Sequence, residues 1–168
     1  QVLEGTERLI KEELVRCIWF GQHIKKDKLY TDDGLRLEIL SPGWWNSEGG
    51  PDLKHAEILL EGKGLLKGNV EVHVFASDWM RHQHDKQETY NSVCLHVVMW
   101  NDREPGYIKN CKGQLIPQLT LSRYLSAELD EIVDMIDVES YVKGGKVSPG
   151  RCQTEIEKQN ATEQWIGL

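Results

Sequence analysis

The chain has 168 residues, 39% hydrophobic and 28% charged, a length and balance that fit one globular domain and leave no room for a second full one. No apolar run approaches the ~18 residues of a membrane span, and the start, Gln-Val-Leu-Glu, carries neither a basic nor an apolar signal region, so no membrane role is expected and the cytoplasm is the expected compartment. With 20 Lys and Arg against 27 Asp and Glu the net charge is −7, which leaves contact with nucleic acid to a local basic patch or to metal ions.

From Glu7 to Trp19 the residues Leu9, Ile10, Leu14, Val15, Ile18 and Trp19 recur at helical spacing, with Thr6 as cap. Lys28 to Leu40 reads as two strands around Asp32-Asp33-Gly34, because Leu35, Leu37 and Ile39 alternate with polar residues. Ser41 to Pro51, rich in Gly and Pro, is expected as a loop despite Trp44 and Trp45. Strands follow on either side of Gly62-Lys63-Gly64, from Asp52 to Leu60 and from Leu65 to Phe75. In the second, Val70, Val72 and Val74 share one face while Glu71, His73 and Phe75 share the other. Ser77 to Tyr90 is polar and irregular or briefly helical, and Ser92 to Trp100 is a buried strand whose His96 is expected to be hydrogen-bonded in the core. A hairpin is expected over Tyr107 to Ile116, then a helix carrying Leu125, Leu129, Ile132, Val133 and Ile136 on one face. After Val142 the sequence is linker-like, and Thr154 to Trp165 is expected to begin another helix in which the chain is cut short; Gln1 in place of Met leads to the expectation of trimming at the other end as well. The order predicts an α/β domain over residues 1–140, a central mixed sheet flanked by helices, with 141–168 as linker and start of a C-terminal helical element.

Cys17, Cys94, Cys111 and Cys152 have no zinc-finger or CxxC spacing and are expected as free thiols. The chemistry is sought instead in Asp52 and Glu71, separated by 18 residues and the glycine turn. Antiparallel neighbours can bring the two carboxylates side by side, as a hard divalent cation requires, with His73 on the same face to orient or deprotonate a water. A polar strand face without chemistry is the alternative.

Gly50-Pro51-Asp52 followed by Gly68-Asn69-Val70-Glu71-Val72-His73 resembles the motif of the PD-(D/E)xK nuclease superfamily. The longer set is similar to an uncharacterised prokaryotic family, a domain of unknown function. That set runs through Leu29-Tyr30-Thr31-Asp32-Asp33-Gly34, Pro42-Gly43 with Asn46, Ser77-Asp78-Trp79 with His82 and His84, Tyr90-Asn91 and Leu95-His96-Val97-Val98. The nuclease resemblance implies a restriction-endonuclease-like fold and phosphodiester hydrolysis of DNA or RNA. It also implies Mg²⁺ or Mn²⁺ on Asp52, Glu71 and the Val72 backbone carbonyl, with His73 where the superfamily has Lys. An acid from the first helix, Glu12 or Glu13, often joins such sites, and Asn46, His82 and His84 are candidates for substrate contact. Two other classes stay open. One is a catalytically silent module binding nucleic acid or protein. The other is a cupin-type metalloenzyme, because His82, His84 and Glu88 read HxHxxxE. Trp44 and Trp45 either stack on bases or cap the core, and Lys25, Lys26, Lys28 and Arg36 are the densest basic cluster. The sequence leaves the oligomeric state open.

Overall fold

The computed structural model describes residues 10–144. Helix α1 (Glu12–Phe20) forms where apolar residues recur at three- and four-residue steps, and it buries Val15, Ile18 and Trp19 completely. Each such side chain contributes about 1.5–3 kcal/mol relative to exposure. The Trp19 indole N–H donates to the Pro42 carbonyl at 3.0 Å, which fixes the helix against the loop that leads to Asp52. Lys11 precedes the helix in an extended conformation; the expected start at Glu7 and the cap at Thr6 lie outside the described residues.

The strands are β1 (Leu29–Tyr30), β2 (Arg36–Ser41), β3 (Trp44–Trp45), β4 (Leu53–Leu60), β5 (Gly64–Phe75), β6 (Val93–Trp100), β7 (Tyr107–Lys109) and β8 (Leu115–Thr120). Together they make one mixed sheet in the order β1-β2-β4-β5-β6-β8-β7, with β3 paired to β4. The first five are joined antiparallel, whereas β5–β6 and β6–β8 are parallel. A parallel pair needs a long crossover, and between β5 and β6 it consists of α2 (Asp78–Arg81) and two single-turn 3₁₀ segments, His84–Lys86 and Glu88–Ser92. The period of two then sorts β5 between two cores. Val70 and Val72 pack with α1 in the larger core, while the opposite face, with Glu71 and His73, lies under the crossover beside a smaller cluster of Trp79, Val93, Ile108 and Ile116.

The sheet curls until its first hairpin meets its far side. Asp32, in the β1–β2 turn, donates its backbone N–H to the Gln118 carbonyl of β8 at 2.8 Å. Gly106 closes the same seam, where a Cβ would lie 2.6 Å from the Asp32 carbonyl carbon.

Several expectations change in detail. Trp44 and Trp45 form a two-residue strand, not a loop, because Trp44 aligns with Lys54 and Trp45 with Leu53. The hairpin after Tyr107 runs four residues further, through Thr120. Where one helix carrying Leu125 to Ile136 is expected there are two: α3 (Leu129–Met135) and α4 (Val138–Gly144). Ile136 is extended, and Asp137 restarts the chain by accepting the Glu139 N–H at 3.2 Å, an N-capping role. Leu125 lies in neither helix and bridges to Ile24. Lys143 and Gly144 belong to α4 and not to a linker, because Tyr141 anchors that helix edge-on to Phe20 and by its hydroxyl to His23 at 2.9 Å. Cys17, Cys94 and Cys111 are free thiols; Cys152 and the expected helix from Thr154 fall outside the described residues.

Candidate metal centre

The site begins with a fault in strand pairing. β4 and β5 pair regularly from Leu60 opposite Gly64 to Ala56 opposite Gly68, then slip by one residue before Leu53 meets Val70. His55 absorbs the extra residue at φ 59°, with its N–H on Asn69 Oδ1 at 3.2 Å. Such a bulge bends its strand and re-aims the side chains beyond it. Past the bulge it is the Asp52 side chain that meets β5. The Val72 N–H donates to Asp52 Oδ2 at 2.9 Å, and the Asp52 N–H donates to Glu71 Oε2 at 3.2 Å. The two predicted acids are thus linked, and they are only 6% and 4% exposed. Because the N–H and C=O of one strand residue leave on the same edge, the Val72 carbonyl opens toward Asp52.

Asn46 is hydrogen-bonded within its own loop. Its N–H donates to the Asp52 carbonyl at 2.9 Å, its side-chain amide donates to the carbonyls of Gly49 and Pro51, and its Oδ1 accepts the Glu48 N–H. A side chain engaged in this way braces the loop before Asp52.

Helix α1 brings two charges. The Arg16 guanidinium donates to Asp52 Oδ1 and lies 5.0 Å above the Trp45 ring, while Phe20 meets that ring edge-on at 5.7 Å. Trp45 therefore caps the core, the second of its two expected roles. One turn before Arg16 is Glu12, whose carboxyl is pushed up to about 7 by burial and then by the Asp52 charge. Burial also pushes Asp52 and Glu71 up, Asp52 against the pull of Arg16 and Glu71 further by the charge of Asp52. Three carboxyls thus share a volume that holds less positive charge than they can balance.

On the other side of Glu71 are imidazoles. Its Oε1 lies 3.3 Å from His84 Nε2 and 3.6 Å from His73 Nε2. His73 Nδ1 is 2.8 Å from His96 Nε2, and His96 Nδ1 is 3.0 Å from Gln118 Oε1. Gln118 Nε2 and the Thr120 hydroxyl both donate to Asp32 Oδ2 at 2.7 Å. His84 stacks on Tyr90 at 3.7 Å, and His82 is exposed. Ligand atoms of His73, His82 and His84 all lie within 4.8 Å of one another. Burial holds His84 down at about 4 and His96 at about 3, and it lowers His73 as well, so these rings are neutral at physiological pH. Burial, then the Glu71 charge, lifts Tyr90 to about 12. Glu88 is exposed, and the HxHxxxE segment occupies the end of α2 and 3₁₀ turns, not the barrel strand that cupin ligands need.

Asp52, Glu71, Val72, His73, Glu12, His82 and His84 thus come together. The residues that sequence reasoning missed are Arg16, Asp32 and Gln118, and it placed His96 in the core without its partners. Arg16 follows Glu12 by four residues, a spacing that puts both on one helix face. Gln118 and Thr120 alternate with apolar residues, a sign of a buried polar face. Nothing local joins Asp32 to them, since the contact is made by the curl of the sheet.

No curated protein and no solved structure matches the chain. Residues 12–166 match the model of a family described as a protein of unknown function (DUF2851). The match takes in nearly the whole sequence and both acids, and the chain belongs to that family.

Proposed function

We propose that this domain is a metal-dependent nuclease of PD-(D/E)xK type, hydrolysing phosphodiester bonds of DNA or RNA with Mg²⁺ or Mn²⁺ held by Asp52 and Glu71. The observation that carries the reading is the buried acid pair itself. Asp52 accepts the Val72 N–H of β5 and Glu71 accepts the Asp52 N–H, with Glu12 on the adjoining helix, and the burial and mutual repulsion that raise Glu12 and Glu71 are costs that a cation relieves. Oxygen donors of this kind suit a hard cation.

When bound, the cation would acidify a water and offset charge on the phosphate. The protein's own groups supply the rest. Arg16, 19% exposed, is the charge-bearing side chain nearest the acid pair, and it becomes available to a phosphate oxygen once a cation takes over Asp52. His73 presents an unprotonated Nε2 toward Glu71, a position from which to accept a proton or bind a cation. Glu12, with its carboxyl near 7, can take up or release a proton in the working pH range.

Cleavage of single-stranded and duplex DNA and RNA should be followed with Mg²⁺ or Mn²⁺ and with EDTA. The expected result is metal-dependent cleavage by the parent protein, with loss of activity in both Asp52→Asn and Glu71→Gln while circular dichroism is unchanged. No cleavage of any of these substrates by the parent would favour the silent binding module instead.

A further inference from the structure

We infer that a second cation position, lined by imidazole, lies on the opposite side of Glu71 and takes a borderline transition cation such as Zn²⁺, with His73, His82 and His84 as nitrogen ligands. It shares Glu71 and His73 with the nuclease reading and does not rest on it.

The hydrogen-bond chain behind His73 fixes which atom is free. Asp32 can only accept, so the Gln118 side chain must turn its NH₂ to Asp32 and its Oε1 to His96. Oε1 in turn can only accept, so His96 carries its proton on Nδ1, and its Nε2 is a lone pair. That lone pair accepts from His73 Nδ1–H. The remaining atom, His73 Nε2, is therefore a lone pair in a ring with 0% exposure, and it has no hydrogen-bond partner. It faces Glu71 Oε1 across 3.6 Å. With Glu71 ionised, two acceptors are aimed into one buried gap, and a cation satisfies them together. An imidazole whose Nδ1–H is tied back to a fixed acceptor is also the arrangement in which metal-binding histidines are held.

The other two ligands are brought in by an unusual turn. Residues two apart on a helix do not face each other, yet His82 and His84 converge, because Gln83 between them adopts φ 59° and ψ 30°. A residue other than glycine in that left-handed conformation is a sign of local strain held for a purpose. His84 is fixed by stacking on Tyr90 and by the edge of Trp79 at 5.4 Å. A tetrahedral site at 2.0–2.1 Å would bring nitrogens to roughly 3.4 Å apart; the present 4.8 Å limit leaves a closure that the exposed His82 can supply. Three imidazoles and one carboxylate favour Zn²⁺ or Co²⁺ over Mg²⁺.

The test is Co²⁺ titration read by visible absorption, paired with Zn²⁺ calorimetry, on the parent, His82→Ala, His82→Cys, His84→Ala and Asp52→Asn. The expected parent binds one ion per chain with a tetrahedral cobalt spectrum and no thiolate charge-transfer band, and Asp52→Asn keeps it. His82→Ala and His84→Ala should weaken binding by more than the roughly 10–100-fold that loss of an outer-shell partner costs. Because His82 is exposed, its variants decide the matter if His84→Ala fails to fold. His82→Cys should retain the ion and gain a thiolate band. No binding by the parent, a thiolate band in the parent, undiminished binding in His82→Ala, or loss confined to Asp52→Asn would each overturn the inference. These outcomes are read without any cleavage assay, so they stand apart from failure of the nuclease reading.

Discussion

Arg16 offsets the Asp52 carboxylate at close range, and both side chains are largely shielded from water. Removing one partner of such a pair leaves a charge uncompensated in a poor solvent for it. Arg16→Met should therefore destabilise the metal-free protein at pH 8 by about 3 kcal/mol, at the low end of the range for a buried pair because Arg16 is partly exposed. Urea unfolding with and without Mg²⁺ checks this, and the cation should recover a good part of the loss. Further from the centre, Gln118 sets the tautomers of both His96 and His73. Gln118→Met takes away that constraint, and it should weaken Zn²⁺ binding by roughly 10–100-fold in calorimetry while leaving the ligands themselves in place. Unchanged affinity would show that the chain from Asp32 does not act on the centre. The acid pair and His73 were legible in the sequence because they sit in one strand and at the end of its partner. Arg16 and Gln118 were not, since each acts through a contact that only the packed elements create.

The elements that place these side chains are a bulge, a crossover and a seam. The alternation of Val70, Val72 and Val74 against Glu71 and His73 announced the strand and its two faces, and the structure keeps both. The bulge at His55 left no such mark, because its backbone angle is imposed by pairing with Asn69 and not by a glycine. The helix expected around Leu129 was broken by an N-capping Asp137 that reads from sequence as one more polar residue. The seam between the first hairpin and β8 is the most exposed to test. Gly106→Ala would put a Cβ 2.6 Å from the Asp32 backbone, a contact that the chain must relieve by moving. It should cost about 1–3 kcal/mol, as overpacking does, and lower Zn²⁺ affinity through the displaced Asp32. Thermal unfolding and calorimetry on the same variant report both effects; a variant as stable as the parent would mean that the seam is not closed.

In the whole molecule, two sets of groups with opposite signs set the pH dependence of the metal-free state. Glu12, raised from 4.5 to about 7, and Glu71, raised further, favour folding below 4.5, and that stability is lost as pH rises through 7 and beyond. His84 and His96, lowered from 6.5 to about 4 and about 3, contribute fully above 6.5 and lose their contribution as pH falls through those values. Between 4.5 and 6.5 the two sets oppose each other. Unfolding midpoints measured in EDTA should therefore show a plateau in that window and decline on both sides, whereas a maximum near pH 8 would contradict the assignment of raised carboxyls. A cation should flatten the alkaline arm by neutralising the acids. All of these expectations meet at Glu71, which faces Asp52 on one side and the imidazoles on the other. Anomalous diffraction from a crystal soaked in Mn²⁺ tests that most directly. The account predicts an anomalous peak at roughly 2.0–2.3 Å from a Glu71 carboxylate oxygen, with Asp52 or the histidines completing its shell. A fully soaked crystal with no peak there, or with its strongest peak on groups remote from Glu71, would contradict it.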